Sequence, residues 1–321
     1  MFQRLRTAHP LGYCLLTEVL FLALIMVGPL ALLYALAFLG VDISRLDDYF
    51  LTVLQELFGV GVAVLVLKKT GRLGLVRRRG SGFFNGLLVG MYPLGLICYN
   101  LYAKLMFGRP DDKPMRTGTQ IFWYFAAMLT IGLAEELLFR GVIAQTLLEH
   151  FGASRGGIWK ACVLSGLFFG GAHLTNLLSS APFGVLMQCI FAASLGVLYA
   201  ALYFRTGNLW VLIFLHGLND ASSLLIGGLY GTETVASAVS SYDPTMLFSV
   251  FIYVLPAAFL LRKKKIGEVS LYFGRDLAKP AQTASGGFSK ASGKRVPVHY
   301  SLHLKGGGWL SEVTDFGAGD N

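Results

Sequence analysis

Two acids and a base crowd one apolar stretch: GLAEELLFRG, residues 132–141, contains Glu135, Glu136 and Arg140. Ionisable groups near the centre of a lipid-embedded helix cost about 3 kcal/mol each, so by default they mark function. Glu136 and Arg140 stand four residues apart with the acid first, the favourable order for an ion pair on one helix face. Glu135 is rotated from Glu136 by about 100° and faces something else. A carboxylate in a low-dielectric cavity beside such a pair has the surroundings of a general base. The competing reading is that both glutamates clamp neighbouring helices to Arg140.

Two later stretches carry the histidines that fall in apolar runs. In SGLFFGGAHLTN, residues 165–176, Gly166 and Gly170 form a small face that admits another helix closely, and His173 follows on roughly the same side. The alternative for His173 is a histidine satisfied by a backbone carbonyl. In NLWVLIFLHGLNDASSLL, residues 208–225, His216 and Asp220 share a face and Asn219 sits one position off it. That pair can orient the imidazole, bind a metal or line an ion path. Three helices supplying ionisable groups exceed what packing needs.

The elements that must position these groups are membrane spans. The 321 residues are 55% hydrophobic and 14% charged with a mean hydropathy of +0.60, against about 25% charged in a soluble domain. The net charge of +9 does not signal nucleic acid, because the bases fall in short clusters between apolar runs. Cys14, Cys98, Cys162 and Cys189 lie within apolar runs without ligand spacing and read as small hydrophobes. A ruler of about 20 residues per crossing gives spans near 13–39, 50–67, 83–107, 121–147, 158–175, 182–204, 209–229 and 246–261. The expectation is an all-α, polytopic transmembrane helical bundle of about eight spans. Arg4 and Arg6, the six bases of Lys68–Arg79, and Arg262–Lys265 put both termini in the cytoplasm. Glu18, Glu56, Lys104 and Arg205 fall near span ends and are expected at the interface. Depths counted from the span ends disagree, with His216 about 10 Å deep and Glu135 and His173 nearer 20 Å. Helices that tilt or break beside a cavity, or misplaced boundaries, would reconcile them.

The three stretches together resemble the CPBP family, the CAAX proteases and their bacterial Abi or bacteriocin-processing relatives, whose motifs are EExxxR, FxxxH and Hxxx(N/D) in that order. Here these read Glu135, Glu136 and Arg140, then Phe169 and His173, then His216 and Asp220. The resemblance covers about residues 118–230. It implies an intramembrane endopeptidase cutting near the C-terminus of a membrane-anchored protein or peptide, in a multi-pass cell membrane setting of the bacterial inner-membrane kind. Glu135 with His173 would activate water, Glu136 with Arg140 would hold the geometry, and His216 would stabilise the oxyanion. Asp220 stands where an asparagine could donate, so Asp220 is read as orienting or charging His216; a protonated Asp220 or Asn219 are the other possible donors. A divalent metal such as zinc on two histidines and a carboxylate is the open alternative to a glutamate mechanism. The organisation expected is N-terminal helices at 1–117, a catalytic membrane domain at 118–265 with a cytoplasm-facing cavity, and a flexible cytoplasmic tail at 266–321. In that tail VPVHYSLHL alternates like a strand and holds His299 and His303. Rival readings are a non-catalytic immunity or scaffold protein and an ion-coupled transporter; no internal repeat supports the latter.

Overall fold

The computed structural model describes residues 2–277 and the pairs 302–303 and 309–310, in two compact units, Met1–Pro280 and Ala281–Asn321. The first unit is all helix. It opens with α1 (Phe2–Ala8), α2 (Pro10–Phe38) and α3 (Asp48–Lys69), the last capped by the Asp47 carboxylate on the amides of Tyr49 and Phe50. Helices α4 (Phe83–Val89) and α5 (Met91–Phe107) meet at an 80° bend at Gly90. A capping box of Thr117 and Gln120 starts α6 (Gly118–Glu136), which runs through a π-helical segment (Leu137–Ala144) into α7 (Gln145–Phe151).

Next come α8 (Arg155–Ala172), capped by Ser154, a 3-10 turn His173–Leu178, and α9 (Pro182–Thr206). Helix α10 (Leu209–Ser223) breaks at Leu224 into α11 (Leu225–Tyr230), followed by α12 (Val235–Ser240), α13 (Ser249–Leu260) and α14 (Gly267–Leu277). In the second unit, Leu302–His303 pairs antiparallel with Trp309–Leu310; His299 lies outside the described residues.

Among the described residues five helices are long and apolar enough to cross a membrane, or up to seven if each of two bent pairs is one span. Eight were expected. The expected span 209–229 falls short because the break at Leu224 leaves α10 only 15 residues, about 22 Å of rise. Residues 267–277 also depart from the expected tail. They form α14, which buries Val269 and Phe273 fully and packs on Tyr203 and Phe204. Its apolar spacing is short and follows the basic run, so it reads as tail until α9 supplies a surface. The path turns by 54° between α13 and α14, and α14 follows the basic run Arg262–Lys265 that closes the last expected span.

The two ends of the bundle differ in chemistry. At one end Glu149 takes ion pairs from Arg6 and Arg72, Arg78 binds Asp276 at 2.5 Å, and Arg205 holds the Leu260 carbonyl and Glu268. Arg205 is therefore a buried clamp rather than an interfacial base, because its donors tie α9 to α13 and α14. Several bases that read only as orientation signals thus also join α1, α7, α9 and α14. At the other end the Arg116 amide bonds the Leu229 carbonyl, the Arg116 guanidinium lies over Tyr49, and the Ala181 amide bonds Ser240.

Candidate functional site

Glycines set how closely the motif helices approach. A Cβ placed on Gly132 of α6 would lie 2.8 Å from the Gly217 amide nitrogen and 2.9 Å from the Ile213 carbonyl, so α6 and α10 meet backbone to backbone. Gly166 and Gly170 do the same for α8 against α9, where added Cβ atoms would come within 2.6 Å of the Ala193 carbonyl and 2.5 Å of that of Cys189. The small face expected on α8 is present, with α9 seated on it.

Glu136 and Arg140 form the expected pair, 2.8 Å apart and fully buried. The Arg140 guanidinium also donates to the Gly196 carbonyl and lies 4.8 Å from the Phe169 ring centre and 5.4 Å from that of Tyr199. Arg140 belongs to the π-helical segment, a geometry that is rare and concentrated at functional sites. Ser165 of α8 helps hold that segment by donating to the Phe139 carbonyl.

His216 is the meeting point. Its Nδ1 faces Glu136 Oε1 at 2.7 Å, and because a carboxylate paired with arginine only accepts, Nδ1–H donates. Its Nε2 lies 3.4 Å from Glu135 Oε2 and 3.5 Å from Asp220 Oδ2. Of the two roles expected of Asp220, orienting or charging His216, its place at the outer nitrogen suits the second, and it does not make the orienting bond. Glu136, 80 positions away in sequence, makes that bond, and Asp220 faces the same nitrogen as Glu135. Asn219 donates to Asp220 at 3.4 Å.

His173 caps α8 as the chain tightens into the 3-10 turn. Its Nδ1 is 2.9 Å from the Phe169 carbonyl, which can only accept, so the proton sits on Nδ1 and Nε2 keeps a lone pair. Phe169 packs edge-on against both His173 and His216, at 5.1 and 5.6 Å between ring centres. Glu135, His173 and His216 line one cavity, so the unequal depths counted from the expected span ends do not describe the packed helices.

A cavity of about 380 Å³ joins these groups. Glu135, Phe169, His173, His216, Asn219 and Asp220 line it, while Glu136 and Arg140 stand behind its wall. Further polar lining comes from Gln55 and Glu56 of α3, Asn176, and Gln188 of α9. The N-terminal helices thus supply part of the wall. Glu18 and Glu56, expected at the interface, are both buried, in helices where α2 packs on α3 and the π segment, and α3 on α6 and the π segment. Glu56 Oε2 has no hydrogen-bond partner. Only the helix face it shares with Thr52 and Gln55 could have flagged it.

The cavity runs from the site toward the end of the bundle holding α12, where Val235, Val239 and Tyr242 complete its lining. Toward the basic end the helices are solid core, with residues 137–148 and 197–206 buried throughout. The expected cytoplasm-facing cavity and the expected cytoplasmic placement of the basic clusters therefore exclude each other.

Among the described residues no three His, Cys, Asp or Glu side chains are grouped as a metal site. Glu136 is committed to Arg140 and to Nδ1 of His216, which leaves Nε2 of His216, Glu135 and Asp220 as the groups that face one another across the cavity.

Residues 117–222 match a family model described as type II CAAX prenyl endopeptidase, Rce1-like. The match starts at the capping threonine of α6, stops one residue short of the end of α10, and contains all three motif stretches. No curated protein matches the chain.

Proposed function

We propose that this chain, whose residues 117–222 fall in the Rce1-like CAAX prenyl endopeptidase family, is an intramembrane endopeptidase cutting near the C-terminus of a membrane-anchored protein or peptide. One observation carries the reading: side chains from three motif helices meet at one cavity, with His216 gripped on its inner nitrogen by Glu136 and turned on its outer nitrogen toward Glu135 and Asp220. In this reading 118–265 supplies the chemistry and 1–117 one wall of the substrate cavity.

Glu135 and the Nε2 lone pair of His173 both accept, so they hold a water by its two protons beside the scissile carbonyl. As the water oxygen attacks, its proton passes to Glu135. The negative charge that develops on the carbonyl oxygen accepts a hydrogen bond from Nε2–H of His216 as imidazolium, which keeps its proton throughout and whose ring is fixed by the Glu136–Arg140 pair. Glu135 then returns its proton to the leaving amine as the amide C–N bond breaks. Glu136 and Arg140 act as positioning residues in this scheme.

The test is Glu135→Gln in cells, followed by comparison of peptide ends in parental and variant membranes. The expected outcome is peptide ends that vanish while the protein stays in the membrane at parental level. Unchanged peptide ends reject the mechanism, and a scaffold or immunity role would survive the substitution.

A further inference from the structure

We infer that the cavity opens on the non-cytoplasmic side of the membrane and takes its substrate there, as a peptide segment exposed on that face. The direction of the mouth stands on charge and geometry; the substrate half rests on the endopeptidase reading.

Each spanning helix that lines the cavity has one end at the basic cluster and the other at the opposite end of the bundle, where α12 packs on α9. At the basic end sit Arg4, Arg6, the six bases of Lys68–Arg79, Arg155, Lys160 and the Arg262–Lys265 run, against Glu149, Glu268 and Asp276. Contacts knit these into one end: Asn208 to the Arg79 carbonyl, Trp210 to the Val76 carbonyl, and Arg72 and Arg78 to Asp276. At the other end Asp42, Asp47, Asp48, Asp111, Asp112, Glu233 and Asp243 outnumber Arg45, Lys104, Arg109, Lys113 and Arg116. An excess of Lys and Arg in short loops sets the cytoplasmic side, and here the two ends differ in sign as well as in number.

The cavity follows the helices away from that basic end. Along α10 its lining passes from His216 through Asp220 to Leu224, and along α9 from Leu195 back to Gln188. Both paths lead to α12, whose Val239 carbonyl presses against Gly184 with no room for a Cβ. With the positive end in the cytoplasm, the cavity lining leads to the opposite face.

The experiment uses the full chain in membranes and a membrane-impermeant biotin maleimide, with the parent as blank for the native cysteines. Ser241→Cys, exposed at the end of α12, reports the mouth, and Arg77→Cys reports the basic end. Labelling of Ser241→Cys in right-side-out vesicles and of Arg77→Cys only in inverted ones supports the inference, and the reverse pattern overturns it. For the substrate half, a bulky polyethylene glycol maleimide is attached at Ser241→Cys from outside. Loss of the Glu135-dependent peptide ends supports delivery from that face; their persistence overturns it. Membranes lacking any Glu135-dependent cleavage reject the endopeptidase reading and the substrate half with it, while the labelling still decides the orientation.

Discussion

Glu136 Oε1 lies 2.7 Å from His216 Nδ1 and 2.8 Å from the Arg140 guanidinium, so one buried oxygen serves both a base and an imidazole. Glu136→Ala would leave Arg140 charged, fully buried and unpaired, a change that costs about 3–5 kcal/mol. The expected result is poor accumulation and a lowered midpoint of thermal unfolding in detergent. Glu136→Gln keeps the volume but loses the charge, and is expected to fold better than Glu136→Ala while kcat falls with little change in KM. A Glu136→Gln enzyme with parental kcat would refute the positioning role.

Gly132 and Gly217 determine whether α6 and α10 can bring Glu135 and His216 together. Gly132→Ala forces a Cβ into the backbone of α10, an overpacking cost of about 1–3 kcal/mol. Loss of both thermal stability and cleavage is expected. Gly95→Ala in α5 meets open space and serves as the control; equal damage from both would show that the close approach is not what matters.

Glu56 is buried with one carboxyl oxygen unpartnered. A buried carboxylate with no cationic partner bears a desolvation cost that a neutral amide of the same shape largely avoids. Glu56→Gln should therefore unfold no earlier than the parent when heated in detergent. An earlier transition would reveal a cationic or donor partner for this carboxyl in the membrane.

Outside the spans, Glu268 tethers α14 to α9. Burial alone would raise its carboxyl, but the Lys265 hydrogen bond and the Arg205 guanidinium hold it below the usual carboxylate range. A group whose folded pKa is depressed stabilises above its unfolded value, near about 4.3, and that contribution is lost as pH falls through the lower folded value. Hydrogen exchange should find α14 protection steady from neutral pH down to about 5 and weakening only below about 4. Weakening that begins near neutral pH would contradict this tether.

The spacing of residues along the chain determined much of this protein. Apolar runs and scattered charges made it a helical membrane protein, and the four-residue interval from Glu136 to Arg140 required a shared helix face and yielded the observed pair. The order of three motifs pointed to the family that residues 117–222 match. Local periodicity relates only residues a turn or two apart, so it paired His216 with Asp220, whereas the orienting bond comes from Glu136 on another helix. That bond exists because Gly132 and Gly217 let two backbones touch. The burial of Glu56 and Arg205, the break at Leu224, the docking of α14 and the direction of the cavity were decided by which helices pack together, since each depends on surfaces far apart in sequence.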